Sequence, residues 1–112
     1  MDYRSPELSE LVAELERLLR KHDLHEAYVF GSRVKGDYLH RSDLDVIVVD
    51  ARFSGVPFLD RPLALLRDWP PHLPELQLFV YTPEEFARGN TVIREARKRG
   101  LHVQLDRAPA TT

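Results

Sequence analysis

The sequence predicts an α/β domain of the α+β type, in which a small mixed β-sheet of three to four strands is flanked by helices. Three observations lead to this prediction. Leucines recur at helical spacing over residues 6–21, two short apolar runs follow at 27–30 and 44–49, and residues 75–81 alternate between two faces. Helical and strand periodicities in one short chain are typical of helices packed on a sheet.

The first helix is predicted to begin at Ser5 and Pro6, with Ser5 as the N-cap and Pro6 in the first helical position. Glutamates dominate its beginning and basic residues its end, which suits the helix dipole. Its apolar positions recur every three or four residues: Leu8, Leu11, Val12, Leu15, Leu18 and Leu19. We expect this apolar face to pack in the core of the domain.

Two strands follow, separated by a polar and basic loop. The first strand covers residues 27–30 and ends at Gly31, where the backbone can turn sharply. Residues 32–38 are expected to form a short helical turn. The second strand covers residues 44–49 and is almost continuously apolar, which indicates a buried central strand.

Two carboxylates stand at the beginning of the second strand. Asp43 and Asp45 are two residues apart, so in a strand both side chains point to one side, with Cα atoms about 6.5 Å apart. At an effective dielectric constant of about 20, two unit charges roughly 6 Å apart repel each other by about 3 kcal/mol. A cation would offset this repulsion, and Mg²⁺ prefers such carboxylates together with phosphate oxygens.

The end of the first strand offers a site for an anion. Gly31 lets the backbone approach a ligand closely, and Ser32 adds a backbone N–H group and a hydroxyl group. Arg33 follows within reach of the same anion, although a solvent-facing Arg33 is nearly as good an interpretation. With the two aspartates, these residues predict a phosphate site beside a metal site.

A loop that contains Phe53 and Phe58 is predicted at residues 50–59. We expect this loop near the mouth of the proposed site, where it could stack on a base or contact a partner. A loop held in place by its own aromatic residues is at least as good an interpretation.

A short helix is predicted from Asp60, as its cap, through about Trp69. The two prolines that follow Trp69 would end it, because proline lacks a backbone donor and restricts the residue before it. We expect Leu63, Leu66 and Trp69 to point inward.

The third strand is predicted at residues 75–81, with Glu75, Gln77 and Phe79 on one face. Thr82 and Glu85 have the spacing of a capping box, so a helical turn should follow and end near Gly89.

The last helix is predicted to begin after Asn90, as its N-cap, and to end at Arg99. Its basic residues are more typical of a solvated face than of a nucleic-acid patch. Residues 101–105 alternate between apolar and polar side chains, which predicts a final edge strand.

The glycine-serine turn and the aspartate pair together resemble the signature of the nucleotidyltransferase superfamily related to DNA polymerase beta, and most of all its minimal nucleotidyltransferases (MNT). That signature is Gly-Ser, ten residues, and then Asp-x-Asp. In this chain it reads Gly31-Ser32, residues 33–42 and Asp43-Leu44-Asp45. The resemblance continues through residues 53–58 and 81–86. Either motif alone is weak, whereas both at the correct strand ends form a specific signal.

The resemblance implies a nucleotidyltransferase fold and a reaction that uses Mg²⁺ and a nucleoside triphosphate. Asp43 and Asp45 would hold two Mg²⁺ ions that bridge the triphosphate and orient an acceptor hydroxyl. Gly31 and Ser32 would hold the β- and γ-phosphates, and Arg33 would neutralise charge there. The product would be a nucleoside monophosphate joined to the acceptor, with pyrophosphate as the leaving group.

The superfamily usually supplies a third carboxylate from a later strand, and by the resemblance this position falls on Gln77. Glutamine can offer a carbonyl oxygen to a metal, but it has no charge and is a poor base. Glu75 lies two residues earlier on the same face and could substitute. The candidate catalytic residues are Asp43, Asp45, Glu75 and Gln77.

Two functions fit these residues. The first is an enzyme that transfers AMP from ATP to a hydroxyl of a protein partner; the resemblance implies that the partner is a HEPN-domain toxin and that this chain is its antitoxin. The second is a catalytically impaired, nucleotide-binding subunit that neutralises a HEPN partner by direct binding. The simplest alternative, aspartates that are only surface groups of a globular domain, leaves the spacing of the two motifs unexplained.

Composition narrows the class of protein. At 112 residues a single domain is expected, over residues 1–106, with a disordered tail at 107–112. The net charge of −2 argues against a dedicated nucleic-acid binder, and the lack of cysteine excludes thiol catalysis and zinc–thiolate sites. No apolar run of membrane-spanning length and no signal-peptide pattern is present, so we expect a soluble cytoplasmic protein, with homo-oligomerisation left open.

Overall fold

The computed structural model describes residues 7–31 and 43–106, which form a four-stranded sheet with helices on both faces. The helices are α1 (Leu8–Lys21), α2 (Leu63–Arg67), α3 (Pro83–Arg88) and α4 (Thr91–Arg99). The strands are β1 (Glu26–Phe30), β2 (Leu44–Val49), β3 (Leu76–Tyr81) and β4 (Leu101–Gln104). Two 3₁₀ turns, Ala51–Phe53 and Phe58–Asp60, lie between β2 and α2. The predicted fold class, a small mixed sheet flanked by helices, is confirmed.

The order of the strands in the sheet is β3-β2-β1-β4. β1 runs antiparallel to β2 and β4, whereas β2 and β3 are parallel. The register pairs Phe30 of β1 with Asp45 of β2, and Asp45 with Gln77 of β3. The end of β1 and the beginnings of β2 and β3 therefore meet at one end of the sheet, which we call the carboxylate end.

Alternating side chains divide the core between the two sheet faces. On one face, β2 contributes Leu44, Val46 and Val48, which pack in a single buried cluster with α1 and α2. On the other face, Ile47 and Val49 of the same strand pack with α3 and α4. Asp45 shares the second face with Ile47 because side chains two residues apart point the same way.

The apolar face predicted for α1 is confirmed, since Leu11, Leu15, Leu18 and Leu19 are buried. The predicted start is wrong, because α1 begins at Leu8 with Glu7 in the N-cap position. The Glu7 carbonyl accepts the first turn's hydrogen bonds from the Glu10 and Leu11 N–H groups, at 3.0 and 3.1 Å. Ser5 and Pro6 lie outside the described residues.

The helix predicted from Asp60 through Trp69 is shorter than expected and buries a different face. α2 covers Leu63–Arg67, and Leu63 and Leu66 are 56% and 37% exposed instead of inward-facing. Leu65 is buried instead, whereas Trp69 is buried as predicted. The side chain of Arg61 is buried just before this helix and donates hydrogen bonds to the Val80 carbonyl of β3 and to Glu85 of α3, which holds the start of α2 against both elements.

Local signals located the remaining elements well. β2 has its predicted bounds, and β3 begins one residue after the predicted Glu75. Thr82 forms the predicted capping box with Glu85, and the Asn90 side chain caps α4 by accepting from the Ile93 N–H group at 2.8 Å. The helical turn expected at 32–38 and the tail expected at 107–112 lie outside the described residues. No helix within the described ranges combines the length and apolar character that crossing a bilayer would need.

Candidate active site

The predicted aspartate pair lies at the carboxylate end. Asp43 immediately precedes β2 and Asp45 is the second residue of that strand, and both are partly buried. The residue between them, Leu44, is fully buried in the cluster on the opposite sheet face. Because successive strand residues alternate, burying Leu44 directs both carboxylates to the other face of the sheet.

Gln77 is brought directly to this pair. It is the register partner of Asp45 on the parallel strand β3, and its Nε2 atom donates a hydrogen bond to Asp43 Oδ2 at 2.9 Å. Among the four candidate catalytic residues, Asp43, Asp45 and Gln77 therefore converge. The sequence predicts Gln77 as a possible metal ligand through its carbonyl, whereas in the structure its amide nitrogen donates to Asp43.

Asp45 is the more strongly perturbed carboxylate. Burial raises its pKa above the ordinary value, and the neighbouring Asp43 charge raises it further. A carboxylate whose ionised form is disfavoured in this way gains stability when a cation binds beside it. The repulsion between Asp43 and Asp45 that their spacing predicts is thus present in the folded protein.

Gly31 ends β1 against the carboxylate of Asp45. Its φ is +89°, a backbone conformation that residues with a side chain rarely adopt. A Cβ atom built on Gly31 would overlap Asp45 Oδ2. The glycine is therefore required both by the turn and by the close approach of the carboxylate. Ser32 and Arg33, the other two predicted phosphate ligands, lie outside the described residues.

Glu75 lies next to the start of β2, but its side chain makes no hydrogen bond with Asp43 or Asp45. It immediately precedes β3, and its backbone carbonyl accepts a hydrogen bond from the Leu44 N–H group at 3.0 Å. Its exposed side chain has no hydrogen bond or ion pair with the other described residues, and Glu75 lines a cavity of about 310 Å³ together with Trp69. Its assignment as a substitute carboxylate stays a prediction.

The loop at residues 50–59 was predicted to lie near the mouth of this site, and this prediction is wrong. It follows the far end of β2, and Phe58 packs on the ring of Tyr81, the last residue of β3, with centroids 5.4 Å apart. A six-residue strand is about 20 Å long, so the loop and the aspartates are separated by the length of the sheet. The alternative interpretation, a loop held by its own aromatic residues, agrees with this packing.

A second cavity is also remote from the aspartates. It has a volume of about 530 Å³ and is lined by residues that include His25, Glu26 and Asp50 at the opposite end of the sheet. We place the candidate site at the carboxylate end nonetheless, because Asp43, Asp45 and Gln77 converge there.

The side chains at the carboxylate end fit one divalent cation. Asp43 and Asp45 supply two hard anionic oxygen donors on one face, which is the ligand type that Mg²⁺ prefers. Within the described ranges, no group of three or more His, Cys, Asp or Glu side chains is placed to hold a metal ion. The two carboxylates, one of which accepts a hydrogen bond from Gln77, are thus the anionic ligands that the described residues bring together here.

Comparison with known proteins bears on the fold of the chain. No curated protein is significantly similar to the chain. A crystal structure of a proposed nucleotidyltransferase from Sulfolobus solfataricus superposes with a TM-score of 0.55 at 24% sequence identity, covering 80% of this chain and 72% of that chain. A second crystal structure, also of a proposed nucleotidyltransferase, has a TM-score of 0.47 at 23% identity, covering 85% and 97% of the two chains. At these identities the first structure shows a common fold.

The sequence itself establishes the family. The sequence pattern that defines the family described as "Nucleotidyltransferase domain" matches residues 8–105. That range includes α1, the Gly31 turn, the aspartate pair and Gln77, and it ends just beyond β4. This chain belongs to the nucleotidyltransferase domain family.

Proposed function

We propose that this chain is a cytoplasmic, Mg²⁺-dependent nucleotidyltransferase that transfers AMP from ATP to a hydroxyl of a protein partner, as the antitoxin of a HEPN/MNT pair. Family membership supports the transferase activity. The observation that carries the chemistry is the convergence of Asp43, Asp45 and Gln77 beside Gly31. The HEPN partner, AMP and the protein acceptor rest on the resemblance of the glycine-serine and aspartate motifs.

In this proposal the residues of the chain bind and orient the reacting groups. Asp43 and Asp45 would hold the cation, which when bound supplies neutralisation of phosphate charge and acidifies a nearby hydroxyl. Gly31 keeps the end of β1 free of any side chain next to Asp45. The acceptor oxygen forms a bond to the α-phosphorus of ATP while the bond to the bridging oxygen breaks and pyrophosphate leaves. Gln77 has no basic atom, so the proton of the acceptor hydroxyl would go to a carboxylate or to water and not to Gln77.

A second candidate function is favoured by one specific observation. The third carboxylate position of the superfamily is occupied by Gln77, whose amide is already bonded to Asp43. A site without that base could bind a nucleotide and transfer it slowly or not at all. In that case the chain would neutralise its HEPN partner by direct binding.

The proposal is tested by incubating the chain with α-labelled ATP, Mg²⁺ and the HEPN protein encoded beside it. We expect the label to appear on the partner, and Asp43→Asn to reduce the transfer rate by at least about 100-fold because it removes a charged ligand. Asp60→Asn removes the same charge from an exposed 3₁₀ turn away from the carboxylate end and should leave the rate unchanged.

The outcomes separate the two functions. No label transfer, together with a tight complex that Asp43→Asn leaves intact, would favour the binding subunit. No transfer and no complex with the HEPN protein would refute both the enzyme and the antitoxin assignment.

A further inference from the structure

Compared with a carboxylate at the same position, Gln77 makes the site less negative and removes a possible base. The resemblance implies a carboxylate at this position and two cations, whereas the structure has a neutral amide whose Nε2 donates to Asp43 Oδ2 at 2.9 Å. The nitrogen must be the atom that faces Asp43, because the amide oxygen would be repelled by the carboxylate. A carboxylate oxygen that accepts this hydrogen bond has less charge and one lone pair fewer to offer a cation.

The remaining charge balances one divalent cation. Asp43 and Asp45 together provide two negative charges, and the described residues provide no third acidic or histidine ligand in the same group. A second divalent cation would have to share these two carboxylates and the phosphates of the nucleotide, because the described residues place no third charged ligand beside Asp43 and Asp45.

We propose that the site binds one divalent cation, which arrives with the nucleotide. The hydrogen bond from the Gln77 amide then holds Asp43 in place, a role that a second metal ion would have in a two-cation site. This inference rests on the proposed function, because it presupposes that Asp43 and Asp45 bind the cation. Gln77 is then a positioning residue. Its hydrogen bond fixes the Oδ2 atom of Asp43. The other oxygen of Asp43 and the carboxylate of Asp45 are then available to bind the cation.

The inference is tested by counting bound Mn²⁺, which is measured from the loss of the free-ion signal in electron paramagnetic resonance. The chain is saturated with α,β-methylene-ATP, which cannot transfer its nucleotidyl group, so activity plays no part in the count. We expect one Mn²⁺ per wild-type chain. Gln77→Glu keeps the side-chain length and adds the third charge, and it should take up a second Mn²⁺ with an affinity at least on the order of tenfold above any residual binding by the wild type.

Two further variants control this experiment. Gln104→Glu adds the same charge on exposed β4, where Gln104 pairs with Glu26 at the opposite end of the sheet, and it should keep the wild-type count. Gln77→Asp places a carboxylate at the same position with a shorter side chain and should also bind two ions. Gln77 is exposed, so both changes at this position should preserve the fold, which circular dichroism checks.

The possible results distinguish a failure of the single-cation inference from a failure of the proposed nucleotidyltransferase function. Two Mn²⁺ ions on the wild-type complex would overturn the single-cation inference while leaving the nucleotidyltransferase proposal intact. A count of one in both Gln77→Glu and Gln77→Asp would overturn it as well. If Asp43→Asn binds Mn²⁺ and nucleotide as the wild type does, the proposed function fails, because the aspartate pair is then not the cation site.

Discussion

At the scale of single residues, Gly31 and Asp45 compete for the same space. The Asp45 carboxylate lies where a Cβ atom of residue 31 would be, and the turn at Gly31 has a φ of +89°. Any side chain at position 31 therefore has two effects that can be separated: strain in the backbone and displacement of a candidate metal ligand. Gly55 offers the comparison, because it has a φ of +84° and no atom within 4 Å of an added Cβ.

We expect Gly31→Ala and Gly55→Ala to destabilise the fold by similar amounts, about 1–2 kcal/mol, because both force alanine into a left-handed conformation. Only Gly31→Ala should weaken Mn²⁺ and nucleotide binding, since only this change pushes Asp45 aside. Thermal unfolding measures the first effect, and titration of Mn²⁺ in the presence of nucleotide measures the second. Equal binding by the two variants would show that the position of Asp45 is not critical for the site.

At the scale of elements, one ion pair joins three segments that are distant in sequence. The guanidinium of Arg61 is buried and donates to the Val80 carbonyl of β3 at 3.0 Å and to both carboxylate oxygens of Glu85, at 2.6 and 3.2 Å. Glu85 also accepts from the Thr82 N–H group as part of the capping box of α3. This pair fixes the start of α2 against β3 and α3, which explains why α2 buries Leu65 instead of the residues expected from the sequence.

The same pair predicts how stability depends on pH. Hydrogen bonds from Arg61 and from the Thr82 backbone lower the pKa of Glu85 from its ordinary 4.5 to about 2. Because the folded-state pKa is depressed, the stabilisation is complete above about pH 4.5 and is lost as the pH falls toward 2. Glu85→Gln should therefore lower the free energy of unfolding near pH 7 and flatten its pH dependence below pH 4.5.

We expect a loss of about 2 kcal/mol in Glu85→Gln at neutral pH, which is less than for a fully buried pair because 36% of the Glu85 side chain is exposed. The measurement is urea unfolding at a series of pH values. Glu84→Gln, one residue earlier and exposed, removes the same charge from the same helix turn and should have a much smaller effect. A Glu84→Gln loss as large as that of Glu85→Gln would attribute the stabilisation to the helix dipole and not to Arg61.

At the scale of the whole molecule, the sequence predicted what short-range signals determine. The continuous apolar run of β2, the capping box at Thr82 and the N-cap at Asn90 each depend on a few neighbouring residues, and each was located correctly. The face buried by α2 depends on the long-range pairing of Arg61 with Glu85, which no local pattern reveals.

The candidate site likewise combines features that depend on neighbouring residues with features that depend on long-range contacts. The shared direction of Asp43 and Asp45 follows from strand geometry alone, and the structure bears it out. The hydrogen bond from Gln77 required the register between β2 and β3, which a sequence pattern does not give. The loop at 50–59 follows β2 directly in sequence, but a strand of six residues separates it from the aspartates, so it lies far from the site.

The architecture of the whole molecule also implies a conflict between stability and function at the carboxylate end. In the folded protein without a cation, burial and the Asp43 charge raise the pKa of Asp45. A carboxylate with a raised folded-state pKa contributes less stability as the pH rises through that pKa, so the ionised pair is a cost at pH 7. A cation that binds only the folded state reverses this cost by mass action.

Asp43→Asn should therefore have opposite effects with and without Mg²⁺. Without Mg²⁺ it should stabilise the protein by about 1 kcal/mol, roughly 4 °C in Tm at this size, because it removes the charge that repels Asp45. With nucleotide and Mg²⁺ at 100 times Kd, the wild type should gain about 2.7 kcal/mol and the variant much less. Differential scanning calorimetry measures both, with exposed Asp60→Asn as the matched change of charge. A lower Tm for Asp43→Asn without Mg²⁺ would instead make Asp43 a stabilising structural group, and the repulsion on which the cation site is argued would be absent.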